Sequence, residues 1–123
     1  MAFSEKLAER IRNGLFRKKV PYEEKKMMGG LCFMVDDKMC PGLLQDKKTG
    51  EDLLMARIGP DEYENALLQP GCRPMDFTGR PMKGMVFVQN GVVQKSTELK
   101  RWIELCLAYN PEAKRSKSGK RKE

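Results

Sequence analysis

Four short apolar runs decide what this chain can become. LCFMV at 31–35, KMCPGLL at 38–44, LLMARI at 53–58 and MVFVQ at 85–89 each stop at turn-forming residues. Runs of that length, rich in β-branched, aromatic and other apolar residues, suit strands. Asp36-Asp37 separates the first two, so 31–44 reads as a β-hairpin. Loop length leaves two registers open. A two-residue loop pairs Val35 with Lys38 and sets Cys32 and Cys40 on opposite faces; a three-residue loop pairs Val35 with Met39 and sets them on the same face, because a one-residue slip inverts every side chain. Pro41 cannot donate a ladder hydrogen bond, so the second strand is at an edge or bulged there. Arg57, on the face of Leu53 and Met55, calls for a carboxylate or carbonyl partner.

Helical periodicity brackets these runs. Phe3, Leu7, Ile11 and Leu15 form one stripe over residues 4–16, with Ser4 as N-cap and Pro21 beyond the end. Arg12, Arg17, Lys18 and Lys19 gather where they suit the helix dipole. Gly59-Pro60-Asp61-Glu62 starts a short helix with Tyr63, Ala66 and Leu67 inward, closed by Gln69-Pro70-Gly71. Leu99, Trp102, Ile103, Cys106 and Leu107 follow the pattern of a last helix, capped by Ser96 or Thr97 and stopped by Asn110-Pro111. Between strand and helix, Asn90-Gly91 predicts a turn and Val92-Val93 a brief return strand. The order is α-β-β-β-α-β-β-α. Helices do not alternate regularly with strands, so the expected class is α+β, two layers, with an antiparallel sheet and helices on one face.

At 123 residues the chain suits one domain, expected over 1–109, followed by a basic tail over 110–123. The tail holds Lys114, Arg115, Lys117, Lys120, Arg121 and Lys122 against Glu123, and so carries most of the +7 net charge. Lacking apolar residues after Ala113, it is expected to be disordered. It serves either as a solubilising end or as a weak, nonspecific nucleic-acid contact through phosphate neutralisation. The segment MAFSEKLAERIRNGLF has acidic residues and no apolar core of a leader, and no apolar run approaches the ~20 residues that span a bilayer. The expected location is the cytoplasm, with no membrane partner.

Three blocks carry a resemblance. KKMMGGLCFMVDDKMC at 25–40, LLMARIGPDEYENAL at 53–67 and RPMDFTGRPMKGMVFV at 73–88, in this order and spacing, resemble the N-terminal domain of the TfoX/Sxy family. The resemblance spans residues 1 to about 109. It implies a small two-layer α+β domain in the element order read above. It also implies kinship with bacterial regulators of competence gene expression, which carry a further helical domain after this one. Here a basic tail stands in that place. The resemblance transfers no catalytic residue.

The chemistry on offer is limited. With no histidine there is no Ser-His-Asp triad, Cys-His pair or HExxH zinc site. Cys32, Cys40, Cys72 and Cys106 contain no CxxC spacing and read as free structural thiols in a reducing compartment. No cofactor and no metal is expected. Gly29-Gly30 is followed by a strand rather than a helix, so it reads as a glycine bulge admitting close packing rather than a phosphate cradle. The stronger candidate is CRPMDFTGRPMKG at 72–84. There Arg73, Arg80 and Lys83, with Met82 as adaptable apolar contact, would receive an acidic partner surface or an anionic group. Asp76, Gly79, Pro81 and Gly84, with Gly29 and Gly30, mark the domain structurally. The alternative is that these cations are satisfied internally. The expected function is a non-enzymatic regulatory or protein-interaction domain with a protein partner, as monomer or homodimer. A nucleic-acid-associated protein using its tail and a small enzyme of unknown reaction stand as the alternatives.

Overall fold

The computed structural model describes residues 4–27, 29–46, 48–75 and 84–113, with Met27 by its backbone alone. Helix α1 (Glu5–Arg17) opens as expected: Ser4 Oγ accepts the Leu7 amide at 3.2 Å, and Leu7, Ala8, Ile11 and Leu15 are buried on one face. Two residues past its end Lys19 takes a left-handed φ of 59°, turning the chain ahead of Pro21. A strand not anticipated from periodicity follows, β1 (Glu23–Met27), whose sequence EEKKM has no apolar alternation. It lies at the edge of the sheet, where charge blocks edge-to-edge aggregation. Arg12 fixes α1 to it with a forked pair on Glu24, Nε at 2.7 Å and Nη2 at 3.1 Å.

Five more strands complete one sheet: β2 (Gly30–Val35), β3 (Lys38–Gln45), β4 (Asp52–Arg57), β5 (Cys72–Pro74) and β6 (Met85–Gln89). The order is β1-β2-β3-β4-β6-β5, with every pair antiparallel. Turn chemistry selects the hairpin register. Asp36 and Asp37 sit at φ 55° and 63°, the left-handed conformations of a two-residue hairpin loop, and Val35 pairs with Lys38. Beyond Met34↔Met39 the ladder slips to Cys32↔Gly42, so β3 holds one extra residue around Cys40-Pro41. An interior strand therefore accommodates its proline through a bulge. Cys32 and Cys40 belong to different buried clusters, on opposite faces of the sheet. Arg57 finds a carbonyl partner, donating to Met39 O at 3.4 Å.

Helices α2 (Pro60–Leu67), α3 (Asn90–Val93) and α4 (Ser96–Tyr109) join α1 on one face of the sheet. Three expectations need correction here. Val92-Val93 lie in the single turn of α3, with Val93 buried against the helix-side core, and form no return strand. The N-cap of α4 is Lys95, with no side-chain cap, so neither Ser96 nor Thr97 plays that role. The expected tail begins too early: Asn110–Glu112 form a 3-10 turn, Asn110 is buried, and Ala113 is 6% exposed. Trp102, fully buried, anchors this layer, and the Arg101 guanidinium lies 5.0 Å from the centroid of its ring. The opposite face carries a second cluster drawn from the strands and Met75: Cys32, Met34, Met39, Leu44, Leu53, Met55, Met75, Met85 and Phe87, all nearly inaccessible.

Two close fits tie helices to sheet. Lys38, beside the hairpin loop, is 6% exposed; its Nζ donates to Asn110 O at 3.0 Å and Pro111 O at 3.2 Å, while Asn110 Nδ2 donates to Val35 O at 3.2 Å. A buried cation thus satisfies carbonyls at the C-terminal end of α4, where helix charge favours it. The second fit joins Gly59 and Gly84. The amides of Ile58 and Gly59 both donate to Gly84 O, at 2.9 and 3.0 Å. Gly59 has φ 90°, and a Cβ there would stand 2.4 Å from the Tyr109 ring. Lys38→Met should cost ~1–3 kcal/mol in urea denaturation, since it leaves buried carbonyls without a donor. Gly59→Ala, strained and clashing at once, should cost ~2 kcal/mol or more in the same assay. A change under ~0.5 kcal/mol in either case would overturn the role assigned here.

Candidate functional site

The basic segment expected to carry function is anchored at both ends. Arg73, in β5, pairs with Phe87 across the ladder, and its guanidinium lies 5.6 Å from that ring centroid. Its Nη2 donates to Asp46 Oδ2 at 2.9 Å, joining β5 to the turn after β3. Asp46 also accepts the Lys48 amide at 2.9 Å. The Arg73 hydrogen bond, helped by that amide, holds the Asp46 carboxyl below its ordinary range. Arg73 is thus held within the fold while its side chain stays 44% exposed. At the segment's two ends the Met75 amide donates to Met85 O at 3.3 Å, and Gly84 is locked against Gly59 at φ 96°. Asp76, Gly79, Arg80, Pro81, Met82 and Lys83 lie outside the described residues, as do the tail positions Lys114, Arg115, Lys117, Lys120, Arg121 and Lys122.

Gly29 and Gly30 do separate jobs. Gly29, at φ 74°, turns the chain between β1 and β2, whose ladder closes at Met27↔Gly30. A Cβ on Gly30 would meet Leu43 O at 2.1 Å, so the close approach there is to β3 and not to a helix.

The thiols are packed away from chemistry. Cys40, on the bulge of β3, and Cys106, on α4, share a hydrogen bond in the core. That bond, then burial, pushes the Cys106 thiol well above its ordinary range, although the Arg57 amide donates to it. Burial pushes Cys32 up to about 11, and raises half-buried Cys72 as well. All four cysteines are free, and among the described residues no group of three or more Cys, Asp or Glu could hold a metal ion. No described helix is long and apolar enough to cross a membrane.

A second basic surface was not singled out by motif. A cavity of about 470 Å³ opens between α1 and the start of α4. Arg10, Arg17, Lys18 and Lys100 line it, and no lining residue is acidic. Its sequence signal is the spacing of Arg10, Gly14, Arg17 and Lys18, which one face of α1 gathers. Arg17 and Lys18 read equally well as complements of the helix dipole, and only the crossing with α4 brings Lys100 beside them.

A single antiparallel sheet under one helical layer, with three of the four thiols buried and cations displayed at two places, defines a small two-layer α+β domain. The chain belongs to the TfoX N-terminal domain family, whose model matches residues 15–109. No curated protein and no solved structure matches it.

Two measurements check this geometry. A thiol reagent such as DTNB should label Cys72 first in the native protein and the other three at the rate of unfolding, because thiolate and access are both needed; rapid native labelling of Cys40 or Cys106 would contradict the packing. For the Asp46–Arg73 pair the sign is that of a depressed carboxylate. Its contribution is complete above the unfolded carboxyl's range and disappears as pH falls through the lower folded value. Asp46→Asn should therefore lose less thermal stability than wild type between about pH 7 and about pH 3.

Proposed function

We propose that this domain is a non-enzymatic regulatory module that acts by binding a protein partner. The observation that carries the reading is the family match over residues 15–109, since the family's namesakes are regulators of competence gene expression. The chemistry of the described residues supports it. Three thiols are buried and Cys72 is half-buried, three of the four are shifted away from thiolate, and the Asp46 carboxylate is ion-paired. Neither arrangement presents a nucleophile with an adjacent base. Display of charge on a rigid frame is what remains, and it suits recognition in the cytoplasm.

Arg80 and Lys83 are the contacts in this reading, with Arg73 beside them and Met82 supplying apolar area. They sit in a connection of eight residues, 76–83, whose neighbours Met75 and Gly84 are both held by hydrogen bonds. A short tether limits the entropy lost on binding. Affinity capture from the native bacterium should recover a defined partner in near-stoichiometric amount. Arg80→Glu with Lys83→Glu should abolish that recovery while the thermal midpoint stays at the wild-type value. Recovery that is unchanged by the double substitution would remove these residues from the interface.

A further inference from the structure

The cavity between α1 and α4 has the makings of a ligand site. Two buried apolar side chains form its floor: Leu99 and Ile103 are 5% and 2% exposed, and a Cβ on Gly14 would come within 2.6 Å of Ile103 Cδ1. Gly14 is therefore what lets the two helices cross closely. Around that floor stand four cations with different degrees of commitment. Lys18 is paired across the crossing with Glu104 at 2.6 Å. Arg10 Nη2 donates to Gln94 O at 3.1 Å, which fixes the guanidinium and leaves most of its five donors for another acceptor. Lys100 is exposed, with Glu104 as a charge neighbour. Arg17 is exposed and makes no hydrogen bond or ion pair with any described residue.

The start of α4 adds to the imbalance. Lys95 occupies the N-cap position, where a cation opposes the helix dipole, and no side chain caps the helix. Glu98, the acid of the first turn, is drawn to Arg101 at 2.9 Å. Ser96 and Thr97 line the cavity with hydroxyls uncommitted to capping. Glu104, paired with Lys18, offsets one of the four lining charges, and an anion held in the cavity would offset the remainder.

We propose that this cavity binds a phosphorylated small molecule of nucleotide size, its phosphate held by Arg10, Arg17 and Lys100 and its apolar or aromatic body laid on Leu99 and Ile103. The volume, about 470 Å³, falls in the ~300–1,000 Å³ range of small-molecule sites. Arginine forks match phosphate oxygens in pairs, and the hydroxyls of Ser96 and Thr97 add donors. A strand of nucleic acid offers the same phosphate chemistry. The cations here converge on one concavity, however, where a strand would require a track.

The test is an NMR titration of the full-length chain with adenosine diphosphate, with inorganic pyrophosphate as competitor and a short single-stranded oligonucleotide as a separate arm. The site predicts saturable one-to-one binding with a Kd below ~1 mM, shifts centred on the amides of Asn13, Gly14, Ser96 and Thr97, and displacement by pyrophosphate. Arg17→Glu with Lys100→Glu should weaken binding at least ~10-fold at an unchanged thermal midpoint. The neutral pair Arg17→Ala with Lys100→Ala should do so by a smaller factor and serves if charge reversal unfolds the chain. Four results would overturn the proposal: no saturable shift up to ~10 mM nucleotide, equal affinity in the variants, loss of binding on deleting residues 114–123, or binding of the oligonucleotide alone.

Discussion

The sheet is buried on both faces, and most of the architecture answers to that constraint. Leu31, Phe33, Leu43, Leu54, Val86 and Val88 face the helices, while Cys32, Met34, Leu44, Leu53, Met55 and Phe87 face the other way, nearly all below a tenth exposure. Strands β2, β3, β4 and β6 are therefore apolar through their middles, and charge falls at the ends of interior strands, as at Lys38, Asp52 and Arg57, or on the outermost strands. That is why β1 reads EEKKM and why Arg73 appears on β5. With no polar side to select register, the turns select it. The paired left-handed aspartates at 36 and 37 and the bulge at Cys40-Pro41 together decide which residues meet the helices.

Helix α4 then fixes the second layer. Its middle fills the core with Trp102 and Cys106, and Ile103 meets Gly14 at the crossing with α1. Its C-terminal end is held by Lys38, so the hairpin loop and the helix terminus stabilise each other's polar groups. Arg101 reaches Gln69 beyond the end of α2. One helix thereby links α1, the hairpin and α2. Buried polar contacts of this kind add little net stability over an apolar alternative but specify one arrangement, because any other leaves carbonyls unpaired in the core.

What could be read from residues alone follows from the same physics. Apolar runs bounded by turns disclosed β2, β3, β4 and β6, and i, i+3, i+4 stripes disclosed α1 and α4, because burial dominates those segments. The fold class and the helical face were legible for that reason. β1 was not, since an edge strand gains its place through ladder hydrogen bonds and through Arg12 on Glu24, neither of which leaves an apolar pattern. Val92-Val93 misled because β-branched residues in a single helical turn look like a strand end. Lys38 gave no hint of burial; its partners lie more than 70 residues away in sequence. The segment 72–84 could be recognised by its glycines, prolines and cations. The α1–α4 cavity could not, because three of its cations come from α1 and its C-cap and the fourth, Lys100, from a helix that only the tertiary fold brings beside it.

The two basic surfaces are physically separate. α1 is fastened toward the β1 edge by Arg12 on Glu24, on the helical side, whereas Arg73 shares the opposite face with Phe87 near the β5 edge. Charges set apart by a packed sheet interact weakly through salt solution, since screening acts within ~10 Å. Each surface can then be altered without shifting the other, and substitutions at the two should combine additively in stability and in binding. A domain built this way could hold a small phosphorylated ligand in its helical layer and a protein partner at the far edge. The occupant of the cavity would then influence the partner only through α4, which meets α1 at Ile103 and Glu104 near its middle and the hairpin at its C-terminal end.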